Sequence, residues 1–184
     1  MASALLNSPQ KLLLLTPVIS STGTIMYAGC EALFFSAFLH PPVRPHSRSI
    51  LPLWFRRVFE TNINVLIGLN MVTISCASAI LTIPGVRSVL TENGSRGLYV
   101  TGLIGTCTHF VFAPTMLGVI ERITKPSEER KEGENDSTDE MERWLGIHYV
   151  RLLVADVPAW VAYIGAVLTT FSIRGATSGS HLLP

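Results

Sequence analysis

Residues 144–171 read WLGIHYVRLLVADVPAWVAYIGAVLTTF. This run is apolar enough to cross a bilayer, yet its first half carries His148, Arg151 and Asp156. Ionisable side chains are costly at membrane depth, so they normally face a bundle interior or a cavity and pair there. A base, a cation and an acid within one hydrophobic helix therefore mark a candidate functional site. On a helix of 3.6 residues per turn, His148 and Arg151 fall within about 60° of each other, and Asp156 and Trp160 are offset by roughly 80–120°. Pro158 removes the bond to the carbonyl of Val154 and should loosen the helix around Asp156. The plainer reading is that Arg151 snorkels to the surface and Asp156 caps the kink.

Outward from this stretch, the chain has three more apolar runs of spanning length. Its 184 residues are 48% hydrophobic and only 15% charged, below the quarter typical of soluble domains. The expectation is an all-α integral membrane four-helix bundle forming a single domain, with spans at about 18–39, 61–83, 98–120 and 147–171. No basic patch suggests a nucleic-acid partner. Residues 1–16 read as a membrane-surface lead-in that ends at Pro17. Residues 121–143 are dense in charge without apolar period, so they should be solvated and disordered. Cys30, Cys76 and Cys107 lack a CxxC pair and read as buried thiols at helix contacts.

The other spans carry further polar groups. Glu31 lies deep in the first, with Tyr27 one turn before it and Phe34 one turn after. It can be a structural acid, or one that handles protons or binds substrate. Asn64 and Asn70 in the second span are interhelical hydrogen-bonding amides or substrate contacts. In the third, Gly102, Gly105, His109 and Ala113 share one face at helical spacing. Pro114 should kink the helix beside His109. No ligand pair at helical spacing supports a metal site.

Lys and Arg concentrate in the first and third loops: Arg44, Arg48, Arg56, Arg57, Arg122, Lys125, Arg130, Lys131 and Arg143. The positive-inside rule then puts both termini in the lumen and those loops in the cytosol. An Asn-Gly-Ser sequon at Asn93 would be lumenal and a glycosylation candidate, and a multi-pass protein of this kind suits the endoplasmic reticulum.

The ordered pattern GCEALFFSAFLHPPV (29–43), an Asn-bearing helix, THFVFAPTM (108–116) and WLGIHYVRLLVADVPAW (144–160) resembles the four-span membrane proteins related to fungal anthrone oxygenases. The most specific parts are His-Phe-x-x-x-Pro at 109–114 and Trp-x-x-x-His-x-x-Arg at 144–151. The resemblance implies a monooxygenase of polyketide metabolism that turns an anthrone into an anthraquinone, with O2 as co-substrate and no metal or flavin. It implies His148 or His109 as the base, Arg151 as the stabiliser of an anionic oxygen, Asp156 orienting a histidine, and Glu31 relaying protons. Tyr27, Phe34, Phe110, Trp144 and Trp160 would wall a hydrophobic polycyclic substrate supplied by an upstream polyketide synthase or another pathway enzyme.

Other readings stay open. Proton transfer alone would make the same residues a cyclase or isomerase acting on a polyketide or terpenoid. Arg56, Arg57, Glu60 and Asn64 faintly echo a microsomal glutathione-binding surface. A non-enzymatic tetraspan scaffold for pathway enzymes would depend on the charged third loop instead.

Overall fold

The computed structural model describes residues 6–176. Among these residues there are helices and turns but no strand. Helix α1 spans Ser8–Ala37, α2 Arg44–Thr82, α3 Pro84–Glu92, α4 Arg96–His109, α5 Ala113–Thr124, α6 Ser137–Arg151 and α7 Val157–Ala176. A tight 3-10 turn, Phe110–Phe112, joins α4 to α5, and a wide π turn, Leu152–Asp156, joins α6 to α7. These elements make four rods long and apolar enough to cross a membrane: Ser8–Ala37, Arg44–Thr82, Arg96–Thr124 and Ser137–Ser172. The all-α, four-span architecture is therefore the one expected.

The rods are longer than the apolar runs. Helix α1 starts at a capping box, in which Asn7 accepts from the backbone of Gln10 and the Gln10 side chain reaches back to Asn7. It then runs through Pro17 rather than beginning after it. The LLLL segment is part of this helix, and Leu14 is fully buried. The Tyr99 hydroxyl donates to the Leu14 carbonyl at 2.9 Å, one residue from the Leu13 carbonyl that Pro17 cannot satisfy. Helix α2 has 39 residues, hence a length of about 58 Å, roughly twice the hydrocarbon thickness. Its Arg-rich first turns, expected as a loop, extend the rod beyond the span.

The charged run 121–143 is not all loop. Helix α5 continues to Thr124, and α6 begins at Ser137 with Asp136 as N-cap, accepting from the backbone of Thr138 and Asp139. The charges are paired between elements. Arg122 meets Glu140 at 2.8 Å, Arg44 meets Asp139 at 2.8 Å, Arg48 meets Asp136 at 2.7 Å, and Lys125 meets Glu134 at 2.8 Å. Burial pushes the Asp136 carboxyl up, but hydrogen bonds from Thr138 and Asp139 and the charge of Arg48 outweigh it and hold it below the usual range. Two of these cations, Arg44 and Arg48, come from the start of α2, far away in sequence; the other two, Arg122 and Lys125, lie in the charged run itself.

Helix α1 packs along α2, α4 along α7, and α5 on α6. Small residues permit the α4–α7 approach. A Cβ on Gly102 would lie 2.5 Å from the Tyr163 ring, and one on Gly105 would lie 2.8 Å from the Cβ of Ala159. Two apolar clusters fill the bundle. One gathers Leu14, Ile80, Leu90, Tyr99 and Tyr163; the other gathers Phe35, Phe55, Val119, Met141 and Trp144. The buried His109, His148, Arg151 and Asp156 belong to neither cluster.

Two expectations about small groups also change. Cys30 and Cys107 are exposed and Cys76 is half-buried, so these thiols point outward instead of filling helix contacts. Asn93 caps α3 and donates to the Thr170 carbonyl at 3.4 Å, while Ser95 is buried and accepts from the Thr170 hydroxyl. The folded turn engages both ends of the sequon.

Candidate functional site

His109 ends α4 because the backbone tightens into the 3-10 turn there, and Pro114 sits in the first turn of α5. Proline has no N–H for the Phe110 carbonyl, so the rod changes pitch at this point. On the facing rod the backbone widens into the π turn just before Pro158. A π turn holds more residues per revolution than an α-helix and is frequent at functional sites. It rotates Asp156 from the adjoining face expected at 3.6 residues per turn to the side of Arg151 and His109.

The result is a buried polar group. His109 Nδ1 lies 2.7 Å from Asp156 Oδ1, and Arg151 Nε lies 3.6 Å from Asp156 Oδ2. Since the carboxylate accepts, His109 Nδ1 donates and Nε2 keeps its lone pair. That Nε2 has no protein partner among the described residues, and His109 lines a cavity. The histidine that Asp156 meets is His109, on the facing rod.

His148 has a different place. It is 0% exposed. Its Nε2 donates to the Ala28 carbonyl at 3.0 Å, and its Nδ1 accepts from Arg151 Nη2 at 3.0 Å. The Trp144 indole stacks on the ring with centroids 4.7 Å apart. Both nitrogens are occupied, so His148 fixes the guanidinium of Arg151 and has no free lone pair for a substrate proton. Of the two histidines, only His109 keeps a ring nitrogen without a protein partner among the described residues. Glu31 approaches this group from α1, with Oε2 4.0 Å from His148 Nδ1.

The cavity has a volume of about 230 Å³. Glu31, Asn62, His109 and Arg151 supply its polar surface, and Phe35, Phe55, Phe59, Phe110 and Trp144 its aromatic walls. This is the usual make-up of a small-molecule site, mostly apolar with few convergent polar groups. Tyr27 and Phe34 line a neighbouring groove instead. Trp160 donates to the Thr22 hydroxyl at 2.9 Å and ties α7 to α1, away from the cavity wall. Asn70 donates to its own helix at Leu66 and sits behind the histidine, near Asp156 and Thr106. Asn64 is exposed and lines no part of the cavity.

The wall residues missed in the sequence are Phe35, Phe55, Phe59 and Asn62. A signal was present: Phe55, Phe59, Asn62 and Leu66 recur at spacings of four, three and four, one stripe of a helix. Its first half was assigned to a loop, which hid the period. Among the described residues no three His, Cys, Asp or Glu side chains are arranged to hold a metal ion.

Comparison with known proteins adds a lineage. Over 173 residues the chain is 31% identical to epoxidase gkaX of Penicillium citrinum, covering 89% of this chain and 98% of the relative. It is 30% identical to epoxidase pydX of an Acremonium species, covering 90% and 98%. The chain belongs to the family of these fungal epoxidases. The probable epoxidase scpX of Mollisia scopiformis is 28% identical, covering 86% of this chain and 95% of the relative. These relatives are consistent with the anthrone oxygenase-like grouping and support an oxidative role in secondary-metabolite biosynthesis for this epoxidase family. No protein-family model and no solved structure matches the chain.

Proposed function

We propose that this chain is a membrane oxygenase that deprotonates a hydrophobic secondary-metabolite intermediate and lets the resulting anion react with O2. The observation that carries the reading is the His109–Asp156 pair, with His109 facing an aromatic cavity beside Arg151. Imidazole suits proton abstraction near neutral pH, and a positioned base contributes about 100- to 10,000-fold in rate. Arg151 is a fixed cation in a dry site, where it stabilises the enolate or phenolate oxygen as charge develops.

The chemistry balances without a further reductant. His109 takes a proton from an acidic carbon. The anion gives an electron pair to O2 and, with the proton returned, becomes a hydroperoxide. Two endings follow. If a carbon–carbon double bond lies nearby in the same molecule, the hydroperoxide passes one oxygen to it, leaving an epoxide and an alcohol. If the same carbon keeps a second hydrogen, as in an anthrone, that proton and the distal hydroxide leave together as one water and the carbon becomes a ketone, so that anthrone and O2 become anthraquinone and water. The relatives' names favour the epoxide ending; the likeness to anthrone oxygenases favours the ketone. No cofactor enters either balance.

The test is oxygen uptake and product mass in membranes bearing the wild type or His109→Ala. The substrates are emodin anthrone and a polyenone carrying both an acidic carbon and an alkene. Expected is uptake that His109→Ala abolishes. The product should gain two oxygens from the polyenone, or exchange two hydrogens for one oxygen from the anthrone. Turnover that proceeds equally well without O2 would replace this reading with an isomerase or cyclase.

A further inference from the structure

A second apolar space adjoins the first. It lies between α1 and α2 and has a volume of about 320 Å³. Glu31, Phe35, Val58 and Asn62 line both spaces, so the two share a wall. The rest of the groove is formed by Tyr27, Cys30, Phe34 and Trp54. Cys30 is exposed and Phe34 is 62% exposed, and both lie on an apolar spanning helix. The groove therefore opens on the outer face of α1, while the first cavity is lined by His109 and Arg151.

We propose that this groove holds an apolar arm of the substrate, so that the enzyme acts on elongated hydrophobic molecules whose reacting end alone enters the main cavity. This rests on the reading of that cavity as the substrate site. Three observations carry it. The groove is continuous with the cavity through shared residues. Its carboxyl and amide groups, Glu31 and Asn62, lie on the shared wall, where an oxygen or nitrogen of a passing substrate would meet them. Its outer part is bordered by Cys30 and Phe34 of the apolar spanning helix α1, so that a hydrocarbon chain could enter it from the bilayer beside that helix. A tail resting there exchanges lipid contacts for protein contacts and gains little hydrophobic free energy, because lipid tails are as apolar as the groove. The groove should consequently tolerate tails of many lengths, and specificity should reside at the reacting end.

The experiment is photolabelling with a conjugated dienone that carries a dodecyl tail and a diazirine at mid-tail. The protein is the full chain in phospholipid nanodiscs. Expected is label on the tryptic peptides containing Tyr27–Phe34 and Trp54, lost when excess unlabelled dodecyl dienone is present. Cys30→Trp, which fills the groove from its exposed side, should remove that label. Loss of label in Cys30→Trp protein that still elutes as the wild type in detergent excludes misfolding. If the labelling matches that of a diazirine phospholipid and the dienone does not compete, bilayer lipid fills the groove and the proposal falls. The label does not need turnover. In His109→Ala protein it should persist, so failure of the base assignment and failure of the groove assignment are read separately.

Discussion

Replacing Asp156 by Asn tests the heart of the proposed chemistry. The substitution keeps the shape of the side chain but removes its charge. In the wild type the carboxylate accepts from His109 Nδ1 at 2.7 Å, the length of a charge-assisted hydrogen bond. That bond selects the tautomer whose Nε2 lone pair faces the cavity. An Asn can turn its NH2 toward Nδ1, and the ring then carries its proton on Nε2, where it cannot accept one from substrate. A hydrogen bond to a charged group contributes about 1.5–3 kcal/mol. Losing that preference reduces the competent tautomer by roughly 10- to 150-fold at about 1.36 kcal/mol per factor of ten. The assay is kcat for oxygen uptake under saturating substrate. The Asp156→Asn rate should fall in that range, and His109→Ala should fall at least as far. The double variant should nearly match His109→Ala alone, because the ring is the carboxylate's main route to the reaction; any small further loss would come through Arg151, 3.6 Å from its other oxygen. An Asp156→Asn enzyme within about threefold of the wild type, or a double variant in which the two losses multiply, would refute the argument.

Three further outcomes follow from the geometry. Gly102→Ala places a Cβ 2.5 Å from the Tyr163 ring and should destabilise the bundle by about 1–3 kcal/mol through overpacking, read as a lower thermal midpoint in detergent. His148→Phe preserves the stack on Trp144 but loses the acceptor for Arg151 and the donor to Ala28. It should weaken kcat less than His109→Ala and leave the pH profile of the base unchanged. Asp136→Asn alters the N-cap of α6 and the pair with Arg48. The wild-type carboxyl titrates below its ordinary value of 3.8, so its stabilisation is complete above that value and is lost as pH falls through the folded-state value. The stability gap between wild type and variant should therefore be present at neutral pH and close only in that acid range, as measured by unfolding at several pH values.

The four spans were legible because each is an apolar run of membrane length, and that signal is independent of tertiary detail. His109, Arg151 and Asp156 were legible for a related reason: charges inside such runs stand out against hydrocarbon. What eluded the sequence was phase. Asp156 was placed off the His148–Arg151 face because regular α-helical spacing puts it there, and only the π turn brings it round. Asn64 and Asn62 differ by two positions along α2, and the choice between them depends on which side of α2 meets the other rods. Composition did not show that both ends of the charged run are helical, because two of its acids, Asp136 and Asp139, meet cations on α2 that lie far away in sequence. Prolines were informative at Pro114 and Pro158, where the backbone does change pitch, and misleading at Pro17, through which α1 continues.

The widened turn at Leu152–Asp156 has a consequence for how this site can vary. A π turn is what a helix forms when it accommodates one residue more than its regular ladder can hold. It acts as a gear between two halves of one rod, setting α7 at its own angle to α6. Loss of one codon within the turn would let the ladder close to regular pitch and leave α7 in nearly its present phase, with Tyr163 and Ala159 still on the glycines of α4. Loss of one codon between Trp160 and Tyr163 would instead turn Tyr163 by about 100° and carry it away from Gly102. Both variants keep every apolar span long enough to cross the membrane. Hydropathy would not tell them apart, because the difference lies wholly in rotation.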